Sequence, residues 1–301
     1  MTWVAAVVHG ILLGGFYALL ASGLALMFGV MRIINIAHGS LALVGAYMSY
    51  LIVEHTGWST YLTLVLVLPG ALIAGYLLQR TMLERSLRAG QLVPLLTTFG
   101  LLIVIANLLQ QFFSPDVHSL GAGSIGTAAW QVTSSLAIAW FDVLTLGIAV
   151  AVLGGLQLVL RRTQLGRELR ATAADPETAE LVGVNARAVY ARATAIAVAT
   201  AALAGVFYGM RTGFDPSQGG SELLYAFEAV VIGGIGSLWG TLWGGIVLGV
   251  AQSIGAQINP EYFALAGHLV FLVILLVRVV LQLPTVRLRI PSALPGRTAA
   301  V

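Results

Sequence analysis

Residues 161–192 read RRTQLGRELRATAADPETAELVGVNARAVYAR, and the fold follows from what flanks them. On one side lies the uncharged run 143–160, on the other the uncharged run 193–210. A bilayer core needs ~20 predominantly apolar helical residues to cross. A charged stretch between two such runs therefore reads as a loop at a membrane surface, and no other internal stretch is as charged.

Working outward, uncharged runs recur at 1–31, 33–53, 55–79, 89–115, 229–260 and 262–277. They place spans at 5–28, 36–53, 60–79, 92–112, 142–160, 189–210 and 264–283. The reading is an all-α polytopic membrane protein of about eight transmembrane helices, including a broken or re-entrant glycine-rich element near 226–254. Residues 1–284 form a single transmembrane domain with its loop at 161–188, and 285–301 form a short cytoplasmic tail bearing Arg287, Arg289 and Arg297.

Composition excludes several classes. The chain has 301 residues, 58% hydrophobic and 9% charged, with mean hydropathy +0.94. Soluble domains carry about a quarter charged residues, so a soluble globule is excluded. The absence of Cys removes disulfides and thiolate metal sites. The five His (His9, His38, His55, His118, His268) have no ligand spacing. A net charge of +3 without a basic stripe gives no footing for nucleic acid. All 15 basic residues are Arg. A Walker-A loop needs Lys on the phosphates, so ATP used in transport would be hydrolysed on another polypeptide. The first Arg is Arg32, which leaves no basic n-region for a cleavable signal peptide.

Arginine in short loops marks the cytoplasm. Arg32, the group Arg80, Arg85 and Arg88, and the 161–192 loop are separated by pairs of spans and so share that side. Loop 113–141 has no Arg but has Trp130 and Trp140, and reads as external, as does the N-terminus. For Arg278 to be cytoplasmic as well, 226–254 must contribute no crossing or two. At 29 residues it is short for two full helices. Two short helices are therefore expected to meet at Gly233-Gly234-Ile235-Gly236-Ser237. Non-helical backbone at depth is tolerated only where it is buried in protein or lines a cavity, which makes Gly233, Gly234, Gly236 and Ser237 candidates for the translocation path or gate. A second interruption at 29–39 is the expected counterpart in an inverted repeat, adding Asn35, His38 and Gly39.

Other motifs have structural readings. Gly10/Gly14, Gly236/Gly240/Gly244 and Gly245/Gly249 suit close helix packing inside the chain. His38 beside Ser40 lacks the third group and oxyanion hole of a nucleophilic site. Glu228 enters an apolar run near the expected external face, as a gate group or a solvated one. In the loop, Asp175 and Pro176 are N-cap and first helical residue. Ala179, Leu181 and Val182 give an apolar side, and Gly183-Val184-Asn185 ends the helix. A capped helix with an exposed apolar face suits a protein partner.

Three stretches carry a resemblance: GLALMFGVMRIINIAHGSLALVGAYM (23–48), GRELRATAADPETAELVGVNARAV (166–189) and AVVIGGIGSLWGTLWGGIVLGV (229–250). The chain resembles the permease subunits of branched-chain amino acid ABC importers, specifically the shorter LivH-type subunit, from about residue 8 to 283. The resemblance implies a multi-pass protein of the bacterial inner membrane. It would act with a second related permease as a heterodimer, two cytoplasmic ATP-binding subunits and a periplasmic or lipid-anchored substrate-binding protein, in contact with membrane lipid. ATP and Mg would sit on the ATPases, with no cofactor on this chain. The loop corresponds to the coupling segment, with Gly166, Arg170, Ala171, Asp175, Pro176, Ala179, Leu181, Gly183 and Asn185 in contact with the ATPase. Related permeases for urea or short amides, a self-contained carrier or channel, and an intramembrane enzyme are the alternatives.

Overall fold

The computed structural model describes residues 2–90, 92–133 and 136–282. The tail expected at 285–301 and the last residue of the span expected at 264–283 lie outside the described residues.

Helix α1 (Trp3–Met31) starts at Thr2, whose hydroxyl accepts the Ala5 N–H at 3.3 Å. It stops at Arg32, which takes φ +55 and donates its N–H to the Phe28 carbonyl at 3.0 Å. After extended residues, α2 (His38–Thr56) ends at Gly57, again left-handed at φ +68. Helix α3 (Thr60–Leu78) passes through a π turn at Gln79–Leu83 into α4 (Glu84–Arg88). The buried Gln79 side chain accepts the Thr194 hydroxyl at 2.8 Å there. Helix α5 (Val93–Phe113) is followed by short α6 (Gly123–Thr127) and by an antiparallel hairpin, β1 (Ala129–Thr133) with β2 (Leu136–Ala139), pairing Trp130 with Ile138. This hairpin is an addition to the all-helical expectation, and it lies in the expected external loop.

Next come α7 (Trp140–Arg162), α8 (Gln164–Ala174), α9 (Pro176–Leu181) and α10 (Ala186–Arg211). A 3₁₀ turn at Pro216–Gln218 leads into α11 (Gly219–Gly233), α12 (Leu238–Ile258) and α13 (Tyr262–Gln282). Among the described residues seven helices are long and apolar enough to cross a membrane: α1, α3 continued through α4, α5, α7, α10, α12 and α13. Helix α2, with 19 residues, is an eighth long helix. The chain is an all-α polytopic membrane protein; six of the seven expected spans fall on these seven helices, and the seventh, 36–53, falls on α2.

The element expected at 226–254 is different. Helix α11 has 15 residues, starts at Gly219, and is the only short member, because α12 has 21 residues and full spanning length. The charge of Glu222 inside 219–228 hid the first part of α11 from a reading by uncharged runs.

Helix α1 is the centre of the core. Helix α12 packs along it antiparallel, Gly10 against Val250 and Gly14 against Ile246, where added Cβ atoms would approach backbone within 2.9 Å. The glycine seam is thus intramolecular. Helix α10 covers another side of α1, with Phe16 stacked on Tyr208 at 5.7 Å and Thr194 beside Met31. One face of the bundle carries the hairpin, and the opposite face carries α8 and α9; these are called the hairpin end and the arginine end.

Candidate functional site

Both α2 and α11 begin inside the bundle. After Met31 the chain climbs back along α1, with Asn35 Nδ2 3.8 Å from Met27 Sδ and His38 Nε2 2.9 Å from the Leu20 carbonyl. Its backbone is satisfied on the way, as Asn35 Oδ1 accepts the Ala37 N–H at 3.0 Å and Thr98 Oγ1 accepts the Ile36 N–H at 3.2 Å. After Arg211 the chain does the same along α10. Phe214 exchanges backbone hydrogen bonds with His118 at 2.8 and 2.9 Å, Asp215 Oδ1 accepts the Ser217 N–H at 2.9 Å, and Gln218 Oε1 accepts the Tyr208 hydroxyl at 3.0 Å.

These two re-entrant segments correspond. Asn35 and Asp215 make the same side-chain turn, α1 and α10 end at Met31 and Arg211, and Gly39 and Gly219 meet, each pair 180 residues apart. Since α1 and α10 run in opposite directions, the relation is an inverted repeat of α1–α3 and α10–α12. The sequence reading placed the counterpart of 29–39 in the 226–254 element. The counterpart is 212–218, whose Gly-Phe-Asp-Pro-Ser-Gln composition looks like an ordinary surface turn.

At the junction Gly39 is enclosed: a Cβ there would overlap the Gly219 carbonyl and lie 2.7 Å from Leu223 N. Asn35, His38 and Ser40 are buried, and His38 Nδ1 and Ser40 Oγ have no hydrogen-bond partner. Buried polar groups are normally paired, so this junction keeps spare capacity. No third group orients a His38–Ser40 pair among the contacts described.

The turn Gly233, Gly234, Gly236, Ser237 lies elsewhere, at the arginine end. Gly236 is close to Gly29 near the end of α1, the Ser237 hydroxyl caps α12 by accepting the Gly240 N–H at 3.0 Å, and Arg278 Nη2 donates to the Ile232 carbonyl at 2.7 Å. Gly234 and Gly236 take φ +97 and +80, which favour glycine. Expecting this turn at mid-depth was wrong, because α11 starts at depth and ends at the surface. Glu228, expected near the external face, is 1% exposed inside the bundle, with His268 Nδ1 2.6 Å from its Oε1.

The loop 161–192 is built as helices. Thr163 caps α8 by accepting the Gly166 N–H at 3.1 Å. A Cβ at Gly166 would overlap the Leu160 and Val159 carbonyls, so only glycine lets α8 turn this tightly off α7. Arg170 Nη1 donates to the Leu160 carbonyl. Asp175 accepts N–H groups of Glu177 and Thr178 at 3.1 and 3.3 Å, and Pro176 follows at the first helical position. The Thr178 hydroxyl holds the Asp175 carboxyl below its ordinary range. Gly183, at φ +88, ends α9, and Asn185 Oδ1 caps α10 at the Ala188 N–H, 3.0 Å away.

The expected apolar side of α9 splits. Ala179 is buried, while Leu181 and Val182 are 86% and 76% exposed. A groove of about 500 Å³ beside them includes Glu168, Ala171, Gly183, Asn185 and Arg192. Glu168 bridges to Arg192 at 3.0 Å across it. A second cavity, of about 420 Å³, is lined by Gly29, Leu169, Arg170 and Gly236. The loop and the glycine turn therefore share a wall.

A family model described as the permease component of the branched-chain amino acid transport system matches residues 6–279. The chain is 31% identical to the high-affinity branched-chain amino acid transport system permease protein BraD of Pseudomonas aeruginosa, over 89% of this chain and 92% of that protein. It is 28% identical to LivH of Escherichia coli K12, a permease protein of the same description, over 89% of this chain and 91% of LivH. To LivM of the same organism, again so described, it is 24% identical over 86% of this chain and 66% of LivM. No solved structure matches. With a family model covering nearly its whole length, and a relative like BraD over most of it, the chain belongs to the permease-component family of branched-chain amino acid transport systems.

Proposed function

We propose that this chain is one of two related permease subunits of an ATP-driven importer for branched-chain or other small amino acids. The relatives' names support the substrate class, and the likeness to both LivH and LivM of one organism supports a heteromeric pair. The arginine end faces the cytoplasm and the N-terminus faces outward. Two separate ATPases, which bind ATP and Mg, engage α8 and α9, and an external binding protein delivers solute at the hairpin end. A chain without Lys has no Walker-A residue to hold the phosphates itself.

The observation that carries the coupling role is the exposure of Leu181 and Val182 at the end of a capped helix beside a polar groove. Exposed apolar groups rimmed by polar ones mark contact sites. Movement of α8 and α9 would reach the transmembrane core by the shared wall of Arg170, Gly29 and Gly236. In this reading Gly233–Ser237 is a gate at the cytoplasmic end, and Asn35, His38 and Gly39 belong to the interior path. Reconstitution tests it. Liposomes with the complete importer should take up leucine only with internal ATP, and liposomes with this chain alone should take up none. Uptake by the chain alone would overturn the proposal.

A further inference from the structure

At the hairpin end, a cavity of about 440 Å³ opens between α1, the end of α10 and the start of α11. Its size lies in the ≈ 300–1,000 Å³ range of small-molecule sites. Its apolar wall is aromatic: Phe16 stacks on Tyr208 at 5.7 Å, and Tyr17 lies 5.2 Å from Tyr225. An acidic and a basic side chain share the lining. Arg211 lies over the Phe16 ring at 5.9 Å and reaches Asp142 at 3.6 Å, but its buried Nη1 has no partner. Glu222 is 6% exposed, and its Oε2 has no partner. No ion pair joins Arg211 to Glu222 among the described residues.

A buried carboxylate oxygen and a buried guanidinium nitrogen left unmade each forfeit a charge-assisted hydrogen bond. Two such groups of opposite sign on one cavity are complementary to a ligand that carries both charges. The first turn of α11, 15 residues long, borders the same cavity through Ser221 and Glu222. Gly220 in that turn has open space around it.

We infer that this cavity is a subsite for a zwitterionic α-amino acid with an apolar side chain. The ligand's carboxylate faces Arg211, its ammonium faces Glu222 Oε2, and its side chain lies on the Phe16–Tyr208 wall. The inference rests on the amino acid importer reading and deepens it, because it names where this chain would receive the solute. It also accounts for a carboxylate at the start of an intramembrane helix, where an ionisable group otherwise costs stability.

The test uses the absence of Cys from the chain. Ser221, exposed on the same lining, becomes the sole cysteine in Ser221→Cys. In membranes holding the full importer, its modification by a charged methanethiosulfonate is followed on this chain by mass. Saturating L-leucine should slow modification by about tenfold, as expected for ~90% occupancy. Isoamylamine, which lacks the carboxylate, and 4-methylpentanoate, which lacks the ammonium, should each protect far less. Adding Glu222→Gln should remove the leucine effect, and Glu222→Asp should restore part of it. No protection by leucine, equal protection by either analogue, or full protection in Glu222→Gln would overturn the inference. Leucine uptake by the importer without substitutions tests the broader reading separately: uptake without protection sinks the subsite alone, and no uptake sinks the importer reading.

Discussion

Gly39 and Gly219 meet backbone to backbone where α2 and α11 begin, so that neither position has room for a Cβ. At Gly219 the added atom would fall 3.0 Å from Ser40 Cα and nearer still to its hydroxyl. Two re-entrant segments from distant parts of the chain are held together by this contact, at the approximate twofold relation between the repeats.

Substituting Gly39→Ala should therefore lower the melting temperature of the purified importer and abolish ATP-dependent uptake. Overpacking of this kind costs about 1–3 kcal/mol. Gly220→Ala, one residue along and in open space, is the control. It should leave melting unchanged or slightly raised, since Ala is preferred to Gly in a helix by roughly 0.5–1 kcal/mol. Equal behaviour of the two variants would mean that the contact is not tight.

Leu181→Glu should leave the fold intact, because the side chain is 86% exposed. Uptake and receptor-stimulated ATP hydrolysis should both fall, by about tenfold if one 1.4 kcal/mol contact is lost. Ala179→Glu, which buries a charge in place of a methyl at a 3% exposed site, should instead reduce the amount of folded protein. Unchanged coupling in Leu181→Glu would remove α9 from the ATPase interface.

Thr194→Val should destabilise the chain by about 1–3 kcal/mol, the cost of an unmet buried acceptor. The Gln79 side chain, 1% exposed at the π turn, would lose its 2.8 Å donor while volume is kept. Thermal unfolding of the purified importer measures this. Gln79→Leu in the same background should recover part of the loss by removing the acceptor.

The cap at Asp175 has a defined pH sense. Its carboxyl titrates below the ordinary range because the Thr178 hydroxyl, then backbone N–H groups, bind the ionised form. A depressed folded value means the stabilisation is complete above the unfolded pKa and is lost as pH falls through the folded one. Amide hydrogen exchange across residues 176–184 should be insensitive to pH near neutrality after correction for the intrinsic rate. Asp175→Ala should speed it, and a wild-type rate in that variant would show that the cap does not hold α9.

The sequence by itself determined the class, the positions of six of the seven membrane-length helices and the helical nature of the polar loop. Length of apolar chain is a one-dimensional constraint in lipid, and capping residues such as Asp175, Pro176 and Asn185 act on neighbours two or three positions away. Tertiary structure alone decided where the chain re-enters. An extended segment can lie inside the bundle only if its backbone groups find partners there. Those partners, Thr98 for Ile36 and His118 for Phe214, are far away in sequence. For the same reason the re-entrant course of 212–218, the burial of Glu228 and the placing of Arg211 and Glu222 on one cavity are not legible in the sequence: each depends on which helices lie side by side, and close approach at residues such as Gly39 and Gly219 sets that.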